Sequence, residues 1–291
     1  MSELQTRDAR LAAFLAAVAA PECLDACIAR TGADRDDIAE RIRQYSGEVP
    51  ITLALLEGIP LDGRRILDVG AGIGLTSLFL RREGFDVTAL EPGGIGFEIN
   101  HDLFLALRDS LDCGDVPLHS IGAEALDPGR HGRFDVMFSA NVLEHVADLE
   151  AVVSAMARSL APGGVMVHTC PNYTVPYEPH YRLPLLPLVP AATPWAGSRK
   201  AEGLWQSFNF VTVGEMDRLL RGSGLRPVFA KGIMAKAFER LLVDPVFATR
   251  HSPGLARLAR ILQATGALAL LRALPPRLAT PMIVMATKGS G

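Results

Sequence analysis

The sequence predicts an α/β domain built on a parallel, doubly wound sheet, and three observations carry that prediction. From Arg65 onward, short apolar runs alternate with helical stretches at the spacing of strands and crossover helices. A glycine cluster, Gly70-Ala71-Gly72-Ile73-Gly74, lies between the first such strand and the helix after it. An acid, Glu91, ends the second strand about 20 residues beyond that cluster, the spacing at which an acid meets a bound ribose.

Taken in order, residues 1–60 read as a helical cap. Residues 8–19 form one helix, and Pro21 breaks it. Residues 22–30 form a second, stopped by Thr31-Gly32. Asp34 or Asp36 caps a third that runs to Tyr45, with Ile38 and Ile42 at helical spacing. The Ala-rich stretch 11–20 loosely resembles a signal peptide, but Glu3 and Asp8 spoil the basic leader such a peptide needs. It is expected to stay as a cytoplasmic helix.

Residues 61–240 carry the α/β core. Strands are expected at Arg65–Val69, Asp86–Leu90, 118–121, 134–139 and 165–169, the last entered through Pro162-Gly163-Gly164. Helices are expected at Leu75–Arg82, 97–107 and 149–160. Residues 171–199, rich in proline and aromatics, read as a long loop, and loops of that length are usually functional. Residues 241–279 read as an apolar helical insertion, and 280–291 as a final strand and tail.

Composition narrows the function. Hydrophobic residues make up 49% and charged residues 21% of 291, enough for a large core and unlike a disordered chain. The net charge is -3, with no long run of one sign. Nucleic-acid binding, which needs a clustered basic face, is not expected. Cys23, Cys27, Cys113 and Cys170 are too sparse for a disulfide framework and read as thiols in a reducing compartment.

The glycine cluster is the centre of the site. Glycine accepts torsions other residues resist and lets a ligand approach the main chain. The spacing is Gly-x-Gly-x-Gly, not the Gly-x-Gly-x-x-Gly of dinucleotide binders. With Glu91 it points to an adenosine-type ligand without saying which.

The order LDVGAGIG, ALEP, FDVMFSANVLEHV and LAPGGVMVHTCPN resembles the class I S-adenosylmethionine (SAM)-dependent methyltransferases over residues 45–235. The resemblance is to the small-molecule and lipid-pathway branch with the Leu-Glu-His-Val signature. It implies a Rossmann-like, seven-stranded mixed sheet whose last strand is antiparallel, a role that residues 281–288 fit. It implies that Asp68, Gly70, Ala71, Gly72 and Gly74 line the turn holding the methionine part of SAM, and that Glu91 holds the ribose. Where many relatives have Asp-Ala-Glu after the third strand, this chain has Gly122-Ala123-Glu124. Adenine is then expected on the backbone of Ala123 or on Glu124. Asn141 begins the segment beneath the sulfonium. Glu144 and His145 occupy positions that hold a divalent metal in some quinone O-methyltransferases. No additional ligands stand out in sequence, so they are expected to cap and anchor the next helix, with no metal.

SAM is already activated, so the protein must chiefly align the acceptor, with a base where the acceptor is a hydroxyl. The segment after the fifth strand emerges where ligands meet in such sheets. It carries Tyr173, Tyr177, Glu178, His180 and Arg182. His180 is the first candidate base, because its ordinary pKa is near neutral, and Glu178 is the second. Trp205 and Phe208 are candidates for an apolar pocket wall or for core. Residues 255–274 are apolar but contain Arg257, Arg260, Arg272 and Gly266, which argue against a membrane span. A packed helix pair, an oligomer contact and a peripheral membrane helix all remain open. The expected function is SAM-dependent methyl transfer, more at oxygen than elsewhere, to a small-molecule, saccharide or lipid-linked acceptor. The competing readings are a SAM-binding protein that has lost catalysis and a nucleotide-cofactor oxidoreductase.

Overall fold

The computed structural model describes residues 3–94, 97–244, 248 and 253–290. Strands β1 (Arg65–Val69), β2 (Asp86–Leu90), β3 (Leu118–His119), β4 (Phe134–Ala140), β5 (Leu160–Cys170), β8 (Leu225–Phe229) and β9 (Met282–Lys288) form one seven-stranded sheet. Its order is β3-β2-β1-β4-β5-β9-β8. β1 pairs in parallel with β2 and β4, and β4 with β5, whereas β9 runs antiparallel to both β5 and β8. The strand order reverses between β1 and β4, which opens the ligand crevice beyond their carboxyl ends.

The helices divide into two layers. On one face, α1 (Glu3–Val18), α2 (Pro21–Thr31), α3 (Arg35–Ser46), α4 (Val49–Leu55), α5 (Leu75–Arg82) and α6 (Asn100–Ser110) share a single core with the sheet. Phe14 of α1 meets Phe79 of α5 with ring centroids 5.5 Å apart, so the N-terminal helices are continuous with the main core. On the other face, α8 (Leu149–Ser159) and α10 (Val213–Gly222) cover β4, β5 and β9. Asp34 caps α3 by accepting from the Asp36 N–H, and α4 follows it, an element the sequence reading had not anticipated.

Residues 171–199 are more structured than expected of a loop. They hold a small hairpin, β6 (Tyr177–Glu178) against β7 (Leu183–Pro184), and two 3₁₀ turns. Tyr173, Leu185, Ala196, Trp205 and Phe208 give this segment its own apolar cluster. The apolar insertion breaks at Gly266, whose φ is +71°, into α12 (Pro253–Ala264) and α13 (Leu268–Ala273). Both pack on α11 (Ile233–Val243) through Phe238, Leu241, Ala259 and Leu268. Among the described residues no single helix is long and apolar enough to cross a membrane. A bent pair, Arg7–Val18 with Pro21–Thr31, reaches that length together, but its Phe14, Val18, Cys23 and Cys27 lie in the core.

Gly74 enters α5 with φ +82°, and a Cβ there would overlap the Phe104 ring of α6. Gly84 has φ +96° but open space around it. Gly84→Ala should therefore cost only the left-handed backbone penalty, about 1–2 kcal/mol. Gly74→Ala should add about 1–3 kcal/mol of overpacking to that penalty. Denaturant melts of both variants check this, and equal losses would show that Phe104 does not constrain the turn.

Candidate functional site

The glycine turn is held from three sides. Gly70 and Gly72 have φ +71° and +59°, and the Ala71 N–H donates to the Leu90 carbonyl at 2.8 Å. Glu91 Oε2 accepts from the Gly72 N–H at 2.7 Å, and Oε1 accepts from the Gly93 N–H at 3.2 Å. Burial raises the Glu91 pKa, and these donors oppose that rise. Asp68 is buried beneath the turn and accepts from Ser77 Oγ at 2.7 Å. Burial pushes its pKa up to about 7, the Ser77 bond acting against it.

Tyr45, at the end of α3, covers the turn, and a Cβ on Gly72 would strike its ring. Asn100 Nδ2 donates to Tyr45 Oη at 3.1 Å, and Arg41 donates to Asn100 Oδ1 at 3.1 Å. Burial raises the Tyr45 hydroxyl to about 12, so it remains protonated and available as a donor. Tyr45, Glu48 and Thr52 line a cleft with Asp68, Gly70 and Ala71. Sequence reading missed these three residues. Their only local signal was helical, and contact with the turn comes from packing of the N-terminal helices on the sheet.

The remaining predicted cofactor residues fall along the same edge. Ala123 is buried on a 3₁₀ turn after β3, and Glu124 beside it is exposed, with its carboxylate against Gly122. Asn141 follows β4 at φ +55°, a conformation asparagine tolerates, and its N–H donates to the Thr169 carbonyl at 2.9 Å.

Past Asn141 the chain turns through Leu143–His145. The cap of α8 is Asp148, which accepts from the Ala151 N–H at 2.9 Å. This corrects the capping role expected of Glu144 and His145. Both instead face the segment after β5. His145 Nδ1 is 2.8 Å from Ser207 Oγ, and His180 Nδ1 is 2.6 Å from Glu178 Oε1. The two imidazoles lie 5.4 Å apart, with Phe208 about equally close to each, at 5.2 Å and 5.3 Å.

Glu178 has no exposed side-chain surface. Besides His180, it accepts from the Tyr181 N–H at 2.6 Å and from Tyr173 Oη at 3.4 Å. Its carboxylate is therefore committed behind the ring and is not free to serve as the second base. Burial alone would raise its pKa, but His180 and the Tyr181 N–H bring it below the ordinary value. Burial disfavours charge on His180 too, yet Glu178 outweighs it and raises the His180 pKa. His145 goes the other way, to about 4, through burial and the neighbouring His180.

Glu144 is fully buried, and neither carboxylate oxygen has a hydrogen-bond partner. Burial raises its pKa to about 8. His145 Nε2 lies 3.8 Å from Glu144 Oε1. One donor atom each from Glu144, His145 and His180 fall within 4.8 Å of one another, close enough for a single ion to bridge them. In sequence no further ligand stands out beside Glu144 and His145; the fold brings His180, just after β6, next to them.

Comparison with known proteins now bears on this geometry. Residues 38–229 match the family model described as a methyltransferase domain. The chain belongs to the class I SAM-dependent methyltransferases. It is 32% identical over 209 residues to the uncharacterized protein Rv1509 of Mycobacterium tuberculosis (strain H37Rv), covering 65% of this chain and 67% of that one. It is 31% identical over 192 residues to the ubiquinone biosynthesis O-methyltransferase of Cupriavidus pinatubonensis, covering 63% and 69%. The fold matches a SAM-dependent methyltransferase from Mesorhizobium loti with a TM-score of 0.53 at 16% identity, over 81% of this chain and 96% of that one.

SAM is the cofactor of this methyltransferase, and Glu91 hydrogen-bonds to the glycine turn. Glu91→Gln keeps the shape and removes the charge, so calorimetry should show SAM binding weakened about 10-fold, the worth of one charge-assisted hydrogen bond. Unchanged affinity in the folded variant would remove Glu91 from the cofactor site.

Proposed function

We propose that this methyltransferase moves the methyl group of SAM to an oxygen of a small-molecule, saccharide or lipid-linked acceptor seated against His180. The observation that carries the reading is the His180–Glu178 pair. A buried carboxylate accepts from the Nδ1–H of the neutral ring, which leaves Nε2 free to receive a hydroxyl proton, and it favours the protonated ring that results. The name of the O-methyltransferase relative supports oxygen as the acceptor atom.

In this reading the main chain of Gly70, Ala71, Gly72 and Gly74, above Asp68, takes the methionine part of SAM. Glu91 takes the ribose, and Ala123 with Glu124 takes the adenine. Asn141 would border the methyl-bearing end of the cofactor. SAM supplies an activated methyl group: the acceptor oxygen bonds to it as its bond to sulfur breaks, and S-adenosylhomocysteine leaves. His180 accepts the proton, Glu178 positions His180, and Trp205 and Phe208 close the apolar wall.

We further infer a cytoplasmic location, no nucleic-acid partner, and peripheral contact with an anionic bilayer through 255–274. From residue 245 to the C-terminus there is no Asp or Glu, against Arg250, Arg257, Arg260, Arg272, Arg277 and Lys288. Leu258, Ile261 and Leu270 are exposed on α12 and α13, Leu270 by 72%. Apolar side chains beside arginines are the chemistry of an interfacial helix, and such a surface would bring the enzyme to a lipid-linked acceptor.

Two measurements test these assignments. His180→Ala should lower kcat about 10²–10⁴-fold while SAM affinity holds; an unchanged kcat would leave alignment as the whole of catalysis. The intact protein should float with anionic vesicles and not with neutral ones, and Leu258→Glu with Ile261→Glu should abolish flotation. Equal, negligible flotation of both proteins would leave α12 and α13 as packing alone.

A further inference from the structure

We propose that Asn100 is a positioning residue for SAM: it ties the Glu91 carboxylate to Tyr45 of α3, so that docking of the N-terminal helices sets the cofactor site. The role depends on Glu91 taking the ribose, the reading proposed above. Asn100 opens the buried stripe of α6, whose other members are Leu103, Phe104, Ala106 and Leu107, and it is only 1% exposed. An amide at such a core position costs stability unless its polar atoms are engaged.

Those atoms are engaged in a definite sense. Arg41 Nη1 donates to Asn100 Oδ1 at 3.1 Å. A guanidinium has donors and no acceptor, so Arg41 fixes which end of the amide is the oxygen. The nitrogen then has two hydrogens for two acceptors. One goes to Tyr45 Oη at 3.1 Å, and the other meets the Glu91 carboxylate. Arg41 and Tyr45 stand four residues apart on α3 and so share a face.

Glu91 thus receives three donors, the Gly72 and Gly93 N–H groups and the Asn100 amide. A carboxylate offers about four acceptor sites, so these donors fix its orientation and leave room for a ribose hydroxyl. Tyr45 lies over Gly72 and lines the cleft. Its oxygen accepts from Asn100, and among the described residues no acceptor takes its hydrogen, which leaves that hydrogen for an oxygen of the cofactor. Undocking α3 would remove Arg41 and Tyr45 together and release the Asn100 amide from the orientation that serves Glu91.

The test follows SAM binding to the full chain by calorimetry between pH 5 and 8, with thermal melts to show that each variant folds. Asn100→Leu nearly keeps the volume and removes the amide. It should weaken binding at pH 7 about 10-fold, as expected for one or two lost hydrogen bonds. Asn100 also lowers the Glu91 pKa against the effect of burial, and a protonated Glu91 has lost an acceptor for the ribose. Affinity should therefore fall on acidification, and in Asn100→Leu that fall should set in at a higher pH. Asp68, and Tyr45 and Arg41 of α3, face the same group. Asp68 is bonded to Ser77, so its titration is common to both chains, and Tyr45, raised to about 12, stays protonated throughout. Tyr45→Phe should weaken binding about 2–10-fold in the native chain and add little in the Asn100→Leu chain. Native affinity in Asn100→Leu overturns the proposal. So does weakened affinity with an unmoved acid midpoint, which marks a structural role alone. Where Asn100→Leu does not fold, Tyr45→Phe decides, and native affinity there overturns the link to α3. Glu91→Gln run alongside separates the two readings. If it binds as the native chain does, the ribose reading fails and takes this one with it. If it is weakened beside a native-like Asn100→Leu, this one fails alone.

Discussion

The hydrogen bond from the Gly72 N–H to Glu91 Oε2 joins the segments that follow β1 and β2, beside the crevice. The turn it holds contains three residues with positive φ, Gly70, Gly72 and Gly74, and each is closely covered. Val142 sits against Gly70, Tyr45 against Gly72 and Phe104 against Gly74. These covers come from the segment after β4, from α3 and from α6. The turn is thus where the sheet, the N-terminal helices and the β4 loop must all fit together. Side chains at these glycines would separate those layers, so the cofactor turn and the packing of the helices are one constraint.

The acceptor cluster shows how partners, more than burial, decide charge. Glu144 and Glu178 are both without exposed side-chain surface. Glu178 has a histidine, a backbone N–H and a tyrosine hydroxyl, and its pKa falls below the ordinary value. Glu144 has no donor, and its pKa rises to about 8. One carboxylate is therefore a charged support and the other is held short of a counter-charge. The same division separates the histidines, since His180 gains from Glu178 what burial takes away, and His145 does not.

Much of the sheet was legible in the sequence because its strands are buried and its turns are glycine. Arg65–Val69, Leu75–Arg82 and Asp86–Leu90 form where expected. The start of β5 differs. Leu160 already pairs with Phe134, the register shifts, and the Pro162-Gly163-Gly164 turn becomes an irregularity inside the strand. β8 went unremarked because it is short, lies at the sheet edge and contains Pro227. Within the site, Glu91 was readable because strand, turn and acid are adjacent in sequence. Tyr45 over Gly72, and His180 beside His145, are contacts between distant segments with no periodic pattern to announce them. The role of Glu178 was misjudged for a related reason: sequence shows which groups are acidic, but not which donors have already engaged them.

The last strand explains how a remote insertion connects to the site. β9 lies between β5 and β8, so the chain leaves the sheet edge after β8, forms α11 to α13 and returns to fill an interior position. Asn172, fully buried just after β5, receives that return. Its Nδ2 donates to the Ala279 carbonyl at 2.8 Å and the Arg277 carbonyl at 3.1 Å, and its N–H donates to Thr280 Oγ1 at 3.1 Å. Its Oδ1 accepts from the N–H groups of Thr174 and Val213, both at 3.2 Å. One side chain thus joins the start of the acceptor segment, the start of α10 and the end of the insertion. Displacing the insertion would strand several buried polar groups, each costing about 1–3 kcal/mol. The helices that carry Leu258 and Ile261 are therefore tied at their exit, through Asn172, to the base of the acceptor segment.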